Sequence, residues 1–162
     1  LAVTFPKSVG QIPFAFPFKP GSDESSETSV YGALYPFGHG LSYTTFQYSD
    51  LAISPSKQGV QGNISISCTI KNIGQREGDE VVQLYLRDEV SSVTTYTQVL
   101  RGFERITLKP EASHTVHFEL TPQELGIWDK QMNFTVEPGM FKVMIGSSSK
   151  DIRLKGEFEI AQ

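Results

Sequence analysis

The sequence predicts an all-β protein, an antiparallel sandwich of about seven to eight strands with an extended N-terminal arm. Three observations favour this fold class. From about residue 43 onward, apolar and polar residues alternate with a period close to two, which is typical of half-buried strands. Stretches rich in Gly, Pro and polar residues separate these runs at intervals of roughly 8–12 residues, as turns do in Greek-key sandwiches. No long segment shows the period of about 3.6 residues that marks an amphipathic helix.

The first predicted strand covers residues 44–54 and contains a change of parity. Phe46 and Tyr48 lie on one side of the alternating pattern, whereas Ile53 lies on the other. An extra residue in one strand shifts the parity in this way. We therefore expect a β-bulge near residues 49–50.

The second predicted strand, residues 62–74, contains the single cysteine of the chain. Cys68 shares one face of the strand with Ile64, Ile66 and Ile70, because side chains two residues apart point the same way. One cysteine cannot form a disulfide within the chain, and no basic residue is adjacent in sequence to activate the thiol. We expect Cys68 to be buried and inert.

Six further segments show the same alternation and predict the remaining strands. They are residues 79–88, 98–108, 113–120, 132–136, 140–146 and 151–160. One short helical turn is predicted at residues 121–125, because Thr121 suits the N-cap and Pro122 the first helical position. Glu124 then completes a capping box.

The first 42 residues differ from the rest of the chain. Pro13, Pro17 and Pro20 alternate with phenylalanines and exclude this stretch from the middle of a sheet, so we expect an extended arm. Residues 21–29 predict a polar, acidic loop. Six of the eleven phenylalanines fall within the first 46 residues, and an exposed cluster of them would promote aggregation. These rings must pack on the sandwich, on another domain or on another copy of the chain.

Composition and charge exclude two classes of partner. The net charge of −4 and the scattered Lys and Arg residues argue against nucleic acid, because phosphate binding requires clustered positive charge. No apolar run approaches the roughly 20 residues that a membrane-spanning helix requires. The chain starts at Leu1 rather than Met and shows no signal-peptide pattern. We therefore expect a segment of a longer protein.

Five separated motifs along nearly the whole chain carry a resemblance to a known family. They are YPFGHGLSYTTF (35–46), KNIGQREGDEVVQLYLRD (71–88), LRGFERITLKP (100–110), IWDKQMNFTVEPGMFKVMIGSSS (127–149) and DIRLKGEFEI (151–160). In this order they resemble the C-terminal part of glycoside hydrolase family 3, the β-glucosidase and β-xylosidase group.

The resemblance implies an immunoglobulin-like, fibronectin type III-like sandwich over residues 43–162. Residues 1–42 would form a linker or arm that leaves the end of a preceding α/β sandwich domain. The segment would be a non-catalytic C-terminal accessory domain that braces upstream catalytic domains of the same chain or mediates oligomer contacts. The parent would hydrolyse terminal β-linked glucose or xylose from oligosaccharides with retention, and it would be periplasmic or secreted.

The motif between the arm and the first strand predicts an interdomain docking site. The candidate docking residues are Tyr35, Phe37, His39 and Tyr43. Their aromatic rings supply apolar area for packing on a neighbouring domain, while Gly38 and Gly40 allow the backbone to bend or to be approached closely. Alternatively, these aromatics belong to the edge of the sandwich itself. Docking is favoured because the stretch precedes the first regular strand.

The carboxylates and histidines predict no catalytic residue, cofactor or metal site in this chain. A retaining glycosidase needs two carboxyl groups about 5–5.5 Å apart, and the resemblance implies that the upstream domains supply both. Asp79 and Glu80 are neighbours that point to opposite faces of a strand, and solvated charge is the favoured interpretation for them. His114 and His117, three residues apart on a strand, also project to opposite faces, which excludes chelation of one metal by that pair.

Two alternatives belong to other functional classes. In the first alternative, the chain is an independent module that binds carbohydrate or protein through exposed aromatic residues. Trp128 and Tyr96 would then form a platform for sugar stacking, although a lone tryptophan is more often a core or corner residue. In the second alternative the Phe-rich arm packs on another copy and forms a homo-oligomer.

Overall fold

The computed structural model describes residues 1–11, 15–21 and 32–162 of the chain. Within them, two β-sheets pack face to face as a sandwich, which confirms the predicted all-β fold. The elements in chain order are β1 (Phe5–Pro6), β2 (Ala33–Tyr35), β3 (Phe46–Ser54), β4 (Lys57–Gly59), β5 (Ile64–Asn72), β6 (Gly78–Asp88), β7 (Val99–Leu108), β8 (Ser113–Leu120), α1 (Pro122–Leu125), β9 (Ile127–Trp128), β10 (Phe134–Thr135), β11 (Gly139–Gly146) and β12 (Ile152–Ala161).

The smaller sheet has three strands in the order β3-β5-β8, all antiparallel. The register between β3 and β5 shifts between Ser49 and Ala52, and Asp50 has a φ of 53°. This irregularity is the β-bulge expected from the sequence. It explains why Phe46 and Ile53 both contact the core although they have opposite parity.

The larger sheet has five strands in the order β4-β12-β11-β6-β7. Its long strands pair antiparallel, whereas the short strand β4 pairs parallel with the end of β12. The chain passes from one sheet to the other between β3 and β4, between β4 and β5, between β5 and β6, between β7 and β8, and between β8 and β11. Such crossings bring the inner faces of the two sheets together.

The core lies between the sheets and consists almost entirely of aliphatic and aromatic side chains. Its fully buried members include Ile64, Ile66, Ile70, Val82, Leu84, Val116, Leu120, Phe141, Val143, Ile145, Phe158 and Ile160. Each such side chain contributes roughly 1.5–3 kcal/mol on burial. Cys68 lies among them with 1% exposure, and burial raises the pKa of its thiol to about 11, which confirms an inert structural cysteine.

The predicted helical turn is present as α1. Thr121 is the N-cap, its side chain accepts a hydrogen bond from the Gln123 amide, and Pro122 occupies the first turn. The Glu124 carboxylate accepts a hydrogen bond from the Thr121 amide at 2.8 Å. This reciprocal pair is the capping box that the sequence predicted.

Candidate functional site

The arm packs on the outer face of the five-stranded sheet. The Phe16 ring stacks on Phe37 with centroids 4.5 Å apart and meets Tyr85 of β6 edge-on at 5.7 Å. The amide of Thr97 donates to the Phe18 carbonyl at 2.9 Å. At least this part of the phenylalanine cluster therefore packs on the sandwich itself, whereas Phe14 and residues 22–29 of the predicted polar loop lie outside the described residues.

A buried polar network holds residues 35–46, which we call the junction segment, against this face of the sheet. The Gln83 side chain donates through Nε2 to the Gly38 carbonyl at 3.1 Å and to the Ser147 carbonyl at 2.6 Å. The Tyr85 hydroxyl donates to Gln83 Oε1 at 2.5 Å, and burial raises the pKa of this hydroxyl above its usual value. Because each of these buried groups has a partner, the network fixes the path of the junction.

The two glycines of the junction motif have different roles. Gly38 has a φ of +82°, and a Cβ there would lie 2.0 Å from Gln83 Oε1 and 2.9 Å from the Tyr85 hydroxyl oxygen. The expectation of close backbone approach is confirmed for Gly38. It is wrong for Gly40, which has no positive φ and no atom within 4 Å of a built Cβ.

Beside this network a half-open cavity of about 720 Å³ lies between the junction segment and strands β6 and β7. Apolar side chains at its edge are open to solvent: Leu41 is 93% exposed and Phe103 is 68% exposed. Tyr43, two residues beyond Leu41, is 90% exposed. Three large apolar side chains thus project from one region of the molecule, which marks it as a candidate docking face. We call it the junction face.

The four predicted docking residues occupy different environments. Tyr43 projects freely from the junction face. Tyr35 stacks on His39 with centroids 5.1 Å apart and contacts Phe5 edge-on at 6.1 Å, so these rings form a small cluster at the β1–β2 ladder. The Phe37 ring stacks on Phe16 of the arm. Docking by these residues stays a prediction.

Charged side chains surround the cavity, and one of them is not solvated as expected. Asp79 pairs with Arg105, and its carboxylate accepts a hydrogen bond from Thr107. Glu80, however, has a side chain only 12% exposed, and burial raises the pKa of its carboxyl. Arg153, 3.9 Å from Glu80, partly offsets this effect. The interpretation of Glu80 as solvated charge is wrong, because the register of β6 carries it inward beside Tyr48.

The other titratable groups do not assemble a metal site in the described ranges. No group of three or more His, Cys, Asp or Glu side chains there is arranged to hold an ion. His114 lies 3.4 Å from Glu104, whereas His117 faces Ser67 across the β5–β8 ladder. None of the helices among the described residues is long and apolar enough to cross a membrane.

The lone tryptophan is exposed, contrary to the expectation of a core or corner residue. Trp128 is 59% exposed on the two-stranded β9–β10 ladder, where its ring meets Phe134 at 5.6 Å. Tyr96 is also exposed, and both residues line one groove. The short β9 strand holds Trp128 at the surface, because the two-residue ladder is too small to enclose an indole.

Residues 80–149 match the fibronectin type III-like domain family. The chain carries a fibronectin type III-like domain. It is 41% identical over 172 residues to a periplasmic β-glucosidase of Salmonella typhimurium, an alignment that covers 99% of this chain and 22% of that protein. It is 42% identical over 159 residues to a β-xylosidase of Formosa agariphila, with 96% of this chain and 22% of that protein covered.

Solved structures show the same relationship. The fibronectin type III-like chain superimposes on a β-glucosidase from Erythrobacter marinus with a TM-score of 0.91 and 35% identity, covering 98% of this chain and 21% of that one. A β-glucosidase from Listeria innocua in complex with glucose gives a TM-score of 0.89 and 30% identity, covering 100% of this chain and 24% of that one. The chain therefore resembles the C-terminal region of family 3 glycoside hydrolases, and it spans about a fifth to a quarter of the length of these relatives.

Proposed function

We propose that this chain is a non-catalytic accessory domain of a larger family 3 β-glycosidase, and that it docks on the preceding catalytic domains through the junction face. The observation that carries the proposal is the exposure of Leu41 and Phe103 in the lining of one cavity, with Tyr43 exposed next to it in sequence. The relatives of this chain are four to five times longer. Residues 1–42 would be the linker and residues 43–162 the docked domain.

Physical chemistry favours burial of this face. A large apolar side chain gains roughly 1.5–3 kcal/mol on transfer from water to a packed interface. Leu41, Tyr43 and Phe103 contact too little of their own domain to gain it. The Asp79–Arg105 pair at the cavity edge supplies polar groups for the rim of such an interface. The Gln83 network meanwhile holds the junction in a fixed conformation, which lowers the entropy lost on docking.

In such a parent enzyme, the hydrolytic chemistry would reside upstream. Retaining cleavage of a terminal β-linked sugar requires one carboxylate as nucleophile and a second carboxyl group as acid and base. The relatives are named as β-glucosidases and β-xylosidases, so terminal glucose or xylose is the proposed substrate class. The role of the present domain would be to brace the domains that carry the carboxyl pair.

The coding sequence upstream of Leu1 tests the proposal. We expect an open reading frame that runs back through an α/β sandwich and a barrel with a candidate Asp nucleophile. A start codon or a signal-peptide cleavage site directly before Leu1 would instead indicate a free-standing protein. In a parallel assay, the purified chain should not hydrolyse an aryl β-glucoside or an aryl β-xyloside. Turnover that survives purification to homogeneity would contradict the non-catalytic role.

A further inference from the structure

A second groove, separate from the junction face, opens at the opposite end of β6. Its volume is about 290 Å³, close to the lower end of the range of roughly 300–1,000 Å³ for ligand pockets. The apolar floor consists of Leu86, Leu125 and Phe141, which are buried. One wall is the loop that carries Tyr96, and the other is the segment from α1 to Trp128. The size suits one small ligand or one unit of a chain.

The Trp128 ring at the mouth of this groove is exposed but held in place. It pairs with Phe134 across the β9–β10 ladder, and the two rings meet edge-on at 5.6 Å. Phe134 in turn lies over Gly126, where a built Cβ would come within 2.3 Å of the Phe134 ring. Gly126 therefore leaves room for the Phe134 ring, and the Phe134 ring supports the indole of Trp128. Such a supported aromatic face is ready for a ligand with little loss of side-chain entropy.

Polar groups of both signs surround the same groove. In the part of the chain that the structure describes, the Arg101 guanidinium forms no hydrogen bond or salt bridge, although burial lowers its pKa. The capping bonds of Glu124 use only Oε2, which leaves Oε1 for other donors. Asp88 accepts one backbone hydrogen bond, from Val90 at 3.2 Å. The groove thus offers donors and acceptors within reach of an aromatic face.

We propose that this groove binds a pyranose unit of a neutral oligosaccharide. A pyranose ring has an apolar C–H face that can stack on an exposed aromatic ring. Trp128 and Tyr96 supply such aromatic rings at the groove. Its hydroxyl groups both donate and accept, which matches the donors of Arg101 and the acceptors of Glu124. The ionisable residues that line the groove are two cations and two carboxylates, Lys19, Arg101, Asp88 and Glu124, so their charges balance and favour a neutral ligand over an ionic one. The proposal is independent of docking, since the groove lies within this chain.

The single tryptophan provides the assay, because Trp128 is the only indole in the protein. Cellotetraose and xylotetraose are titrated into the 162-residue chain while intrinsic fluorescence is recorded. We expect a saturable change with a dissociation constant on the order of 1 mM for at least one sugar. Tyr96→Ala and Arg101→Gln should each weaken binding at least about threefold. Tyr96 is 43% exposed and Arg101 is only partly buried, so we expect both variants to keep the fold.

Tyr43→Ala is the matched control, because it removes an exposed tyrosine from the junction face instead. It should bind the sugar as the wild type does. Equal affinity of the wild type, Tyr96→Ala and Arg101→Gln would overturn the proposal, because the sugar would then bind elsewhere. Absence of a saturable signal with both sugars would also overturn it. A saturable fluorescence response to a charged peptide titrated in the same way, with no response to either sugar, would overturn the proposal as well.

Discussion

A single methyl group at Gly38 tests the close approach between the junction segment and Gln83. Gly38→Ala introduces a Cβ at a φ of +82° and 2.0 Å from Gln83 Oε1. The left-handed backbone costs an L-residue about 1–2 kcal/mol. Displacing Gln83 also weakens its hydrogen bonds to Gly38 and Ser147, each worth about 1 kcal/mol. We expect a total loss of about 3–4 kcal/mol.

The measurement is urea unfolding of the wild type, Gly38→Ala and Gly40→Ala, followed by circular dichroism. In a thermal melt of the same proteins, such a loss lowers Tm by roughly 6–16 °C for a domain of this length. Gly40→Ala serves as the control within the same motif, because no atom lies within 4 Å of its built Cβ. It should remain within about 0.5 kcal/mol of the wild type. Equal stability of the two variants would refute the close approach between the junction and Gln83.

Three further predictions concern other parts of the fold. Burial raises the pKa of Asp88 from 3.8 to about 6, so this carboxyl destabilises the fold increasingly as pH rises from about 4 to about 6. Asp88→Asn should therefore raise Tm at pH 8 and leave it unchanged at pH 4. An equal effect of the substitution on Tm at both pH values would contradict this. Glu124→Ala should cost about 1 kcal/mol in urea unfolding through loss of the capping box, whereas Glu124→Gln should retain most of that stability. Phe16→Ala removes the stack on Phe37 and should release the arm at a cost of about 2 kcal/mol, seen as faster chymotryptic cleavage after Phe18. Unchanged cleavage would show that other contacts hold the arm.

Local patterns predicted the long strands well, because a period of two directly reports which side chains face the core. The parity change within residues 44–54 even located the β-bulge at Asp50. The capping box of Thr121 and Glu124 was also predictable, since all its partners lie within four residues. The short strand β4 was missed, because its pairing with β12 depends on a residue about a hundred positions away.

The candidate site was only partly predictable from the sequence. The need for a glycine at Gly38 arises from Gln83 and Tyr85, which are distant in sequence. Glu80 has the same parity as the inward residues Val82 and Leu84, so its inward position follows from the alternation of β6. No local signal, however, distinguishes Gly38 from Gly40. Likewise, the exposure of Trp128 depends on Phe134 and on a two-residue ladder. Tertiary contacts decide these features, whereas residue types and spacing decide the strands.

Docking of the junction face is tested most directly by calorimetry, in which this chain is titrated with the separately produced catalytic domains that we propose for the parent protein. The account predicts saturable binding that the double variant Leu41→Asp, Tyr43→Ala weakens at least about tenfold, since each buried apolar side chain contributes more than about 1.4 kcal/mol. The control Val90→Asp changes another exposed apolar side chain, 77% exposed and away from the cavity, and should bind as the wild type does. Absence of binding, or the same affinity for the wild type and the double variant, would contradict the account.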